Sequence, residues 1–227
     1  MVRIAGRQAE ERIRQIPDLI GMAQNTPDTV TIPDEDQFRA QYYALLGRLL
    51  AAPPDASVLA LLAEIKGNNS ELGQIVAALG AAARTAKPAE LDDEYHALFI
   101  GMTRGELVPY GSYYLTGFLH EKPLARLRQD MARLGIERAS EVREPEDHVA
   151  ALCEMMAGLI RGEFGSNTGE APDLTTQAAF FEQHIAAWAG QFFMDLETAE
   201  SALFYRPVGA LGRVFMTIET TAFRMAA

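Results

Sequence analysis

At 227 residues, with 48% hydrophobic and 22% charged residues, the chain has the size and balance of a folded domain with one substantial core. A net charge of −11 and a pI near 4.8 oppose binding to nucleic-acid phosphates, and Arg126, Arg128 and Arg133 are too interspersed with apolar and acidic residues to form a basic patch. No apolar run reaches the length of a membrane span and the first residues lack the apolar stretch of a secretory signal, so a cytoplasmic location is expected; the single Cys153 excludes an internal disulfide and says nothing more of the compartment.

Apolar residues recur at spacings of three and four almost throughout, which predicts an all-α protein. Residues 1–35 form an expected N-terminal arm, partly mobile: a short amphipathic stretch (Ile13, Ile16, Leu19, Ile20) followed by a Thr/Pro/Asp linker. The helical domain is expected over 36–223. Its first stripe is Phe38, Tyr42, Leu45, Leu46, Leu49 and Leu50, stopped by Pro53 and Pro54. Val58, Leu61, Leu62 and Ile65 make a second, and a third follows Ser70 as N-cap through Leu72, Ile75, Val76 and Leu79. Leu91, Tyr95, Leu98 and Phe99 form a fourth. Residues 101–111, with three glycines and a proline, read as a loop.

The pattern resumes with Leu124, Leu127, Met131 and Leu134, ended by Gly135 as the C-terminal glycine. Val149, Leu152, Cys153, Met156, Leu159 and Ile160 make the next stripe, and 162–172 is a polar loop. One longer helix carries Phe181, Ile185, Trp188 and Phe192, and two more are expected near 195–204 and 207–223.

Catalytic signatures are largely missing. There is no phosphate-binding glycine loop, no dinucleotide fingerprint and no Gly-x-Ser-x-Gly elbow, and His96, His120, His148 and His184 lie in no metal-ligand spacing. Cys153 sits on an apolar stripe and reads as a buried thiol. Three clusters remain. Glu144-Pro145-Glu146-Asp147-His148 precedes the stripe beginning at Val149; proline at the first helical position and acidic residues in the first turn make this a well-formed helix start. That reading does not require both Asp147 and His148, which leaves room for one of them to bind a guanidinium or ammonium group. Pro109-Tyr110-Gly111-Ser112-Tyr113-Tyr114 could line a groove for an apolar peptide, or pack its rings on the core. Phe181, His184, Trp188, Phe192 and Phe193 have the spacing of core.

Taken in order, these pieces resemble the TorD/DmsD/NarJ family of molybdoenzyme maturation chaperones. The resemblance rests on Tyr95 to Phe99, Val108 to Tyr114, Glu144 to His148, Leu152 to Leu159 and Phe180-x-x-x-His184-x-x-x-Trp188 with Phe204-Tyr205. It covers about residues 36–223, and the 1–35 arm departs from the family's usual start. The resemblance implies an all-α, TorD-like single bundle of nine to twelve helices, a monomer or a domain-swapped dimer. It implies a chaperone without catalysis, cofactor or metal that binds the twin-arginine signal peptide of an exported molybdenum-cofactor oxidoreductase. Carried over by motif position, the peptide-contact residues are Pro109, Tyr110, Ser112, Tyr113, Glu144, Pro145, Asp147 and His148. Some family members bind GTP weakly, but no phosphate-binding motif here supports it. Residues 113–119 with 122–124 resemble a subgroup associated with formate dehydrogenases. In the nitrate-reductase branch the chaperone can act instead as an adaptor on a mature region of its client.

The chemistry of such a signal suits these residue types. Two guanidiniums call for carboxylates, which Asp147, Glu144 and Glu146 supply, and an apolar segment calls for a wall such as Tyr110, Tyr113 and Tyr114.

Overall fold

The computed structural model describes residues 34–101, 104–140, 142–164 and 173–226. Within them the chain forms α1 (Asp34–Ala51), α2 (Ala56–Glu64), α3 (Glu71–Thr85), α4 (Pro88–Tyr95) running into a π-helical turn (His96–Ile100), and α5 (Gly111–Thr116). It continues with α6 (Lys122–Leu134), α7 (Val149–Ile160), α8 (Leu174–His184), α9 (Ala189–Thr198) and α10 (Tyr205–Ala226). The all-α expectation holds, with ten α-helices and no strand among the described residues. The arm expected at 1–35 lies outside those residues except for its last two positions, which open α1, and so does most of the 162–172 loop.

Local chemistry sets many of the boundaries. Ser70 Oγ accepts the Gly73 N–H at 3.0 Å and starts α3, while Asp55 Oδ1 accepts Ser57 N–H at 2.9 Å and Val58 N–H at 3.0 Å to start α2. Gly135, at φ 69°, ends α6 in the left-handed conformation that a side chain resists.

The core is built around α7, in which every residue but Glu154 is buried. α1 lies along one side of α7 and α8 along another, while α10 packs on α9, α3 and α1. Because α1 is enclosed by both α7 and α10, its buried tyrosine is Tyr43, with no exposed surface, whereas Tyr42 of the expected stripe is half-buried and Phe38 is exposed. α9 and α10 approach closely at Gly212, where a Cβ would overlap the Phe193 ring.

Two expectations fail in the C-terminal third. The single helix through Phe181, Ile185, Trp188 and Phe192 is broken at residues 185–188, with Ile185 at φ −122° and Trp188 at φ −143°. All four side chains remain buried, because the turn keeps i to i+4 bonds such as Ala189 N–H to the Ile185 carbonyl at 3.0 Å and so preserves the stripe's direction. The helix expected near 195–204 is α9, which stops at Thr198.

The chain beyond α9 is held by carboxylates from far away in the sequence. Glu106 accepts the N–H groups of Glu200 at 2.6 Å and Ser201 at 3.0 Å. Glu94, on α4, accepts those of Leu203 and Tyr205 at 2.8 Å and Phe204 at 3.1 Å, capping α10 in place of a local residue. Glu94→Ala should therefore lower unfolding stability by about 1–2 kcal/mol, seen as a lower urea midpoint. An unchanged midpoint would show that water caps α10 as well as Glu94 does.

A second long-range tie is a buried ion pair. Glu219 on α10 has no exposed surface and receives Arg39 of α1 through both oxygens, Nε to Oε1 at 2.8 Å and Nη2 to Oε2 at 2.9 Å. Arg39 also reaches Asp36 at 2.7 Å and Gln177 of α8 at 3.2 Å, and its guanidinium lies 5.0 Å from the centre of the Phe223 ring.

Candidate functional site

The two loop motifs, 35 residues apart, meet as one unit. An isolated antiparallel bridge joins Tyr110 to His148: the Gly111 N–H donates to the Asp147 carbonyl at 2.9 Å, and the Val149 N–H donates to the Pro109 carbonyl at 2.9 Å. The Asp147 side chain completes the clip, its Oδ2 accepting the Ser112 N–H at 2.7 Å in the first turn of α5. Pro109 and Ser112 are buried beneath this junction. Gly111 has little room there, since a Cβ would stand 3.1 Å from Trp188 Nε1 and the indole would have to give by a few tenths of an ångström.

This pairing changes the expected helix start. Pro145 is not at the first helical position; its carbonyl accepts the His148 N–H at 3.2 Å in a turn, and α7 begins at Val149. His148 is the N-cap, its Nδ1 accepting the Ala150 N–H at 3.1 Å. Burial pushes the imidazole down to about 3, so near neutral pH the ring is uncharged and able to accept. A ring whose Nδ1 lone pair is engaged in this way is a structural group rather than a base at that atom.

The three acidic side chains of the motif have different fates. Asp147 is 3% exposed. Glu146 is also buried and carries two arginines of its own chain, Arg128 at 2.8 Å and Arg138 at 3.4 Å. Burial alone would raise the Glu146 carboxyl, but Arg128 above all holds it below the usual range. The expectation that Glu146 is open to a guanidinium is thus corrected: α6 already supplies one. Glu144 alone of the three is exposed, and it accepts a hydrogen bond from the Tyr110 hydroxyl. Burial first, and then Glu144, push the Tyr110 hydroxyl well above its ordinary value, which keeps it a donor. The Tyr110 ring stands edge-on to His148, with centres 5.0 Å apart.

The remaining tyrosines divide. Tyr114 packs on Trp188 at 5.4 Å and Phe192 at 6.0 Å and donates to Asp195 at 2.8 Å, so it joins α5 to the core. Tyr113 is turned toward Arg104, which donates to its hydroxyl at 2.9 Å and sits 5.6 Å from the ring centre. Arg104, Arg128 and Arg138 were not legible as site residues, since each reaches its partner across a loop. Past Tyr114, Leu115 near the end of α5 is exposed, as are Phe118 and Leu119 on the following turn, which holds His120 at φ 61°.

Elsewhere, His184 Nε2 meets Asp130 at 2.7 Å, with Arg133 on the same carboxylate, and the Trp188 indole N–H donates to the His184 carbonyl at 2.8 Å. Burial outweighs Asp130 and lowers the His184 ring. Cys153 is buried, which raises its thiol far above the reactive range. Among the described residues no group of three or more His, Cys, Asp or Glu could hold a metal, and no helix is long and apolar enough to cross a membrane.

Comparison with known proteins places this arrangement. Residues 66–194 match the family model described as nitrate reductase delta subunit. The chaperone protein TorD of Vibrio atlanticus is 27% identical over 138 residues, 58% of this chain and 63% of that protein. TorD of Shewanella pealeana is 27% identical over 214 residues, 85% of this chain and 92% of that protein. The match thus spans about six tenths of the Vibrio relative and nearly all of the Shewanella one. A crystal structure from Archaeoglobus fulgidus, described as that of a redox enzyme maturation protein, shares the fold with a TM-score of 0.52 at 18% identity, covering 86% of this chain and 99% of its own.

Proposed function

Because the chain belongs to the nitrate reductase delta subunit family, the TorD/DmsD/NarJ group of maturation chaperones, we propose that it binds the precursor of an exported molybdenum-cofactor oxidoreductase. In this reading it recognises the client's twin-arginine signal peptide in the cytoplasm, assists cofactor insertion into the apo form and holds back export until the client has folded. A formate dehydrogenase is the first client to test, from the resemblance in residues 113–119 and 122–124. The observation that carries the reading is the clip itself. The Pro109–Ser112 loop and the Glu144–His148 segment, distant in sequence, are joined as one unit with an exposed carboxylate at Glu144, and the chain leaving that unit carries exposed apolar side chains at Leu115, Phe118 and Leu119. A basic pair followed by an apolar run matches that order of chemistry. The net charge of −11 would speed encounter with such a segment at low salt.

Isothermal titration with a synthetic formate-dehydrogenase signal peptide, and with a version carrying glutamine for both arginines, tests it. Binding at micromolar Kd or tighter, about −8 kcal/mol, that weakens in the altered peptide is expected. Absence of binding to signals of every molybdoenzyme class would reject signal recognition. The family description itself, a subunit of nitrate reductase, favours a second reading in which the protein is an adaptor on a mature region. A client lacking its signal peptide would still co-purify in that case.

A further inference from the structure

Which carboxylate receives the cationic side chain is a question the motif alone leaves open, since it offers three acids in four residues. Two of them are already committed. Asp147 is 3% exposed and spends Oδ2 on the Ser112 N–H, so it ties α5 to the start of α7. Glu146 is 7% exposed and balanced by Arg128 and Arg138. A guanidinium arriving from solvent would have to displace Arg128 or Arg138 to reach Glu146. Although Asp147 Oδ1 has no hydrogen-bond partner among the described residues, it is buried with the rest of that side chain and closed to an arriving group.

Glu144 differs in each respect. Its side chain is exposed, and among the described residues no Lys, Arg or His pairs with it. Its one partner is neutral: the Tyr110 hydroxyl donates to Oε2. A carboxylate has about four acceptor positions, so this bond orients the group and leaves both oxygens able to meet a planar fork of N–H donors. The Tyr110 ring is itself held edge-on to His148 at 5.0 Å, on a backbone bridged to His148. Glu144 is thus an anion on a short chain of fixed parts, and much of the ordering cost of an exposed ion pair is met before the partner arrives.

We propose that Glu144, oriented by Tyr110, is the specificity-determining carboxylate that receives an arginine of the client segment, while Asp147 is the clip that builds the surface and touches no client. The proposal rests on the signal-peptide reading above. Tyr110 is a positioning residue, acting through Glu144.

Titrating the variants with the arginine peptide and its glutamine counterpart separates these roles. Glu144→Gln should bind the arginine peptide about tenfold more weakly, the loss of roughly one charge-assisted contact, bind the glutamine peptide as the wild type does, and melt at the wild-type temperature. Tyr110→Phe should weaken the arginine peptide by a smaller factor and have no further effect in a Glu144→Gln background. Asp147→Asn should lower the melting temperature and weaken both peptides alike. A Glu144→Gln protein that still discriminates between the peptides as the wild type does would overturn the proposal and leave the signal-peptide reading intact. A wild type that binds both equally would remove arginine recognition altogether, and the proposal with it.

Discussion

Replacing Glu219 by alanine is expected to cost about 3–5 kcal/mol of folding stability, a fall in Tm of roughly 10 °C for a chain of this size. The effect is large because of what stays behind. Glu219 is fully buried between α10 and α1, and its two oxygens are the main partners of Arg39. Without them the guanidinium keeps, among the described residues, Asp36 and Gln177 in an enclosed site, beside the Phe223 ring. Removing both charges should be gentler: Arg39→Met with Glu219→Leu fills similar volume and leaves no buried ion, so the double variant should be more stable than Glu219→Ala. Thermal and urea unfolding of both proteins would decide it. A double variant less stable than Glu219→Ala would mean that the pair contributes far more than the penalty of breaking it.

The second large effect is on pH. The His148 ring has an ordinary value near 6.5, and burial lowers it to about 3 in the folded protein. Above pH 6.5 the ring is neutral in both states and the fold is unaffected. As pH falls below 6.5 the unfolded chain takes up a proton that the folded chain refuses, so stability declines. A loss of roughly 2 kcal/mol between pH 6.5 and 4.5 is expected. His184, also lowered by burial, adds a decline of the same sign. Asn in place of His148 would keep a side-chain acceptor at the start of α7, its Oδ1 replacing the ring Nδ1, and remove the titration. Urea unfolding of wild type and His148→Asn at intervals over that window should give the variant the shallower slope. Parallel slopes would show that His148 takes up its proton in the folded state as readily as in the unfolded one.

Where the fold was legible, a short-range signal was the cause. Ser70 caps α3, Gly135 ends α6, and the stripe from Val149 to Ile160 is α7. What escaped the sequence was decided by distant partners. Nothing near Thr198 announces the end of α9; the next N–H groups are drawn off by Glu106 and Glu94, about a hundred residues earlier. The break at 185–188 was hidden because its apolar spacing runs through the turn unchanged. The candidate site behaves the same way. The motifs name its acidic residues, but what each of Glu144, Glu146 and Asp147 bonds to depends on Arg128, Arg138, Tyr110 and the Ser112 N–H, none of which lies within the acidic motif. Pro145 looked like the first residue of a helix for the same reason: the bridge to residues 109–111 delays α7 until Val149.

The Arg39–Glu219 pair has a consequence for the order in which the protein is made. Arg39 leaves the ribosome 180 residues ahead of its partner. At elongation rates of about 5–20 residues per second that interval is roughly 10–40 s. Throughout it α1 must wait with one flank and a guanidinium uncovered, and the groove where α10 will lie stays open. The fold therefore closes late, when the C-terminal helix emerges, and a nascent chain stalled before Tyr205 would present to the cytosol the kind of exposed apolar surface that chaperones recognise.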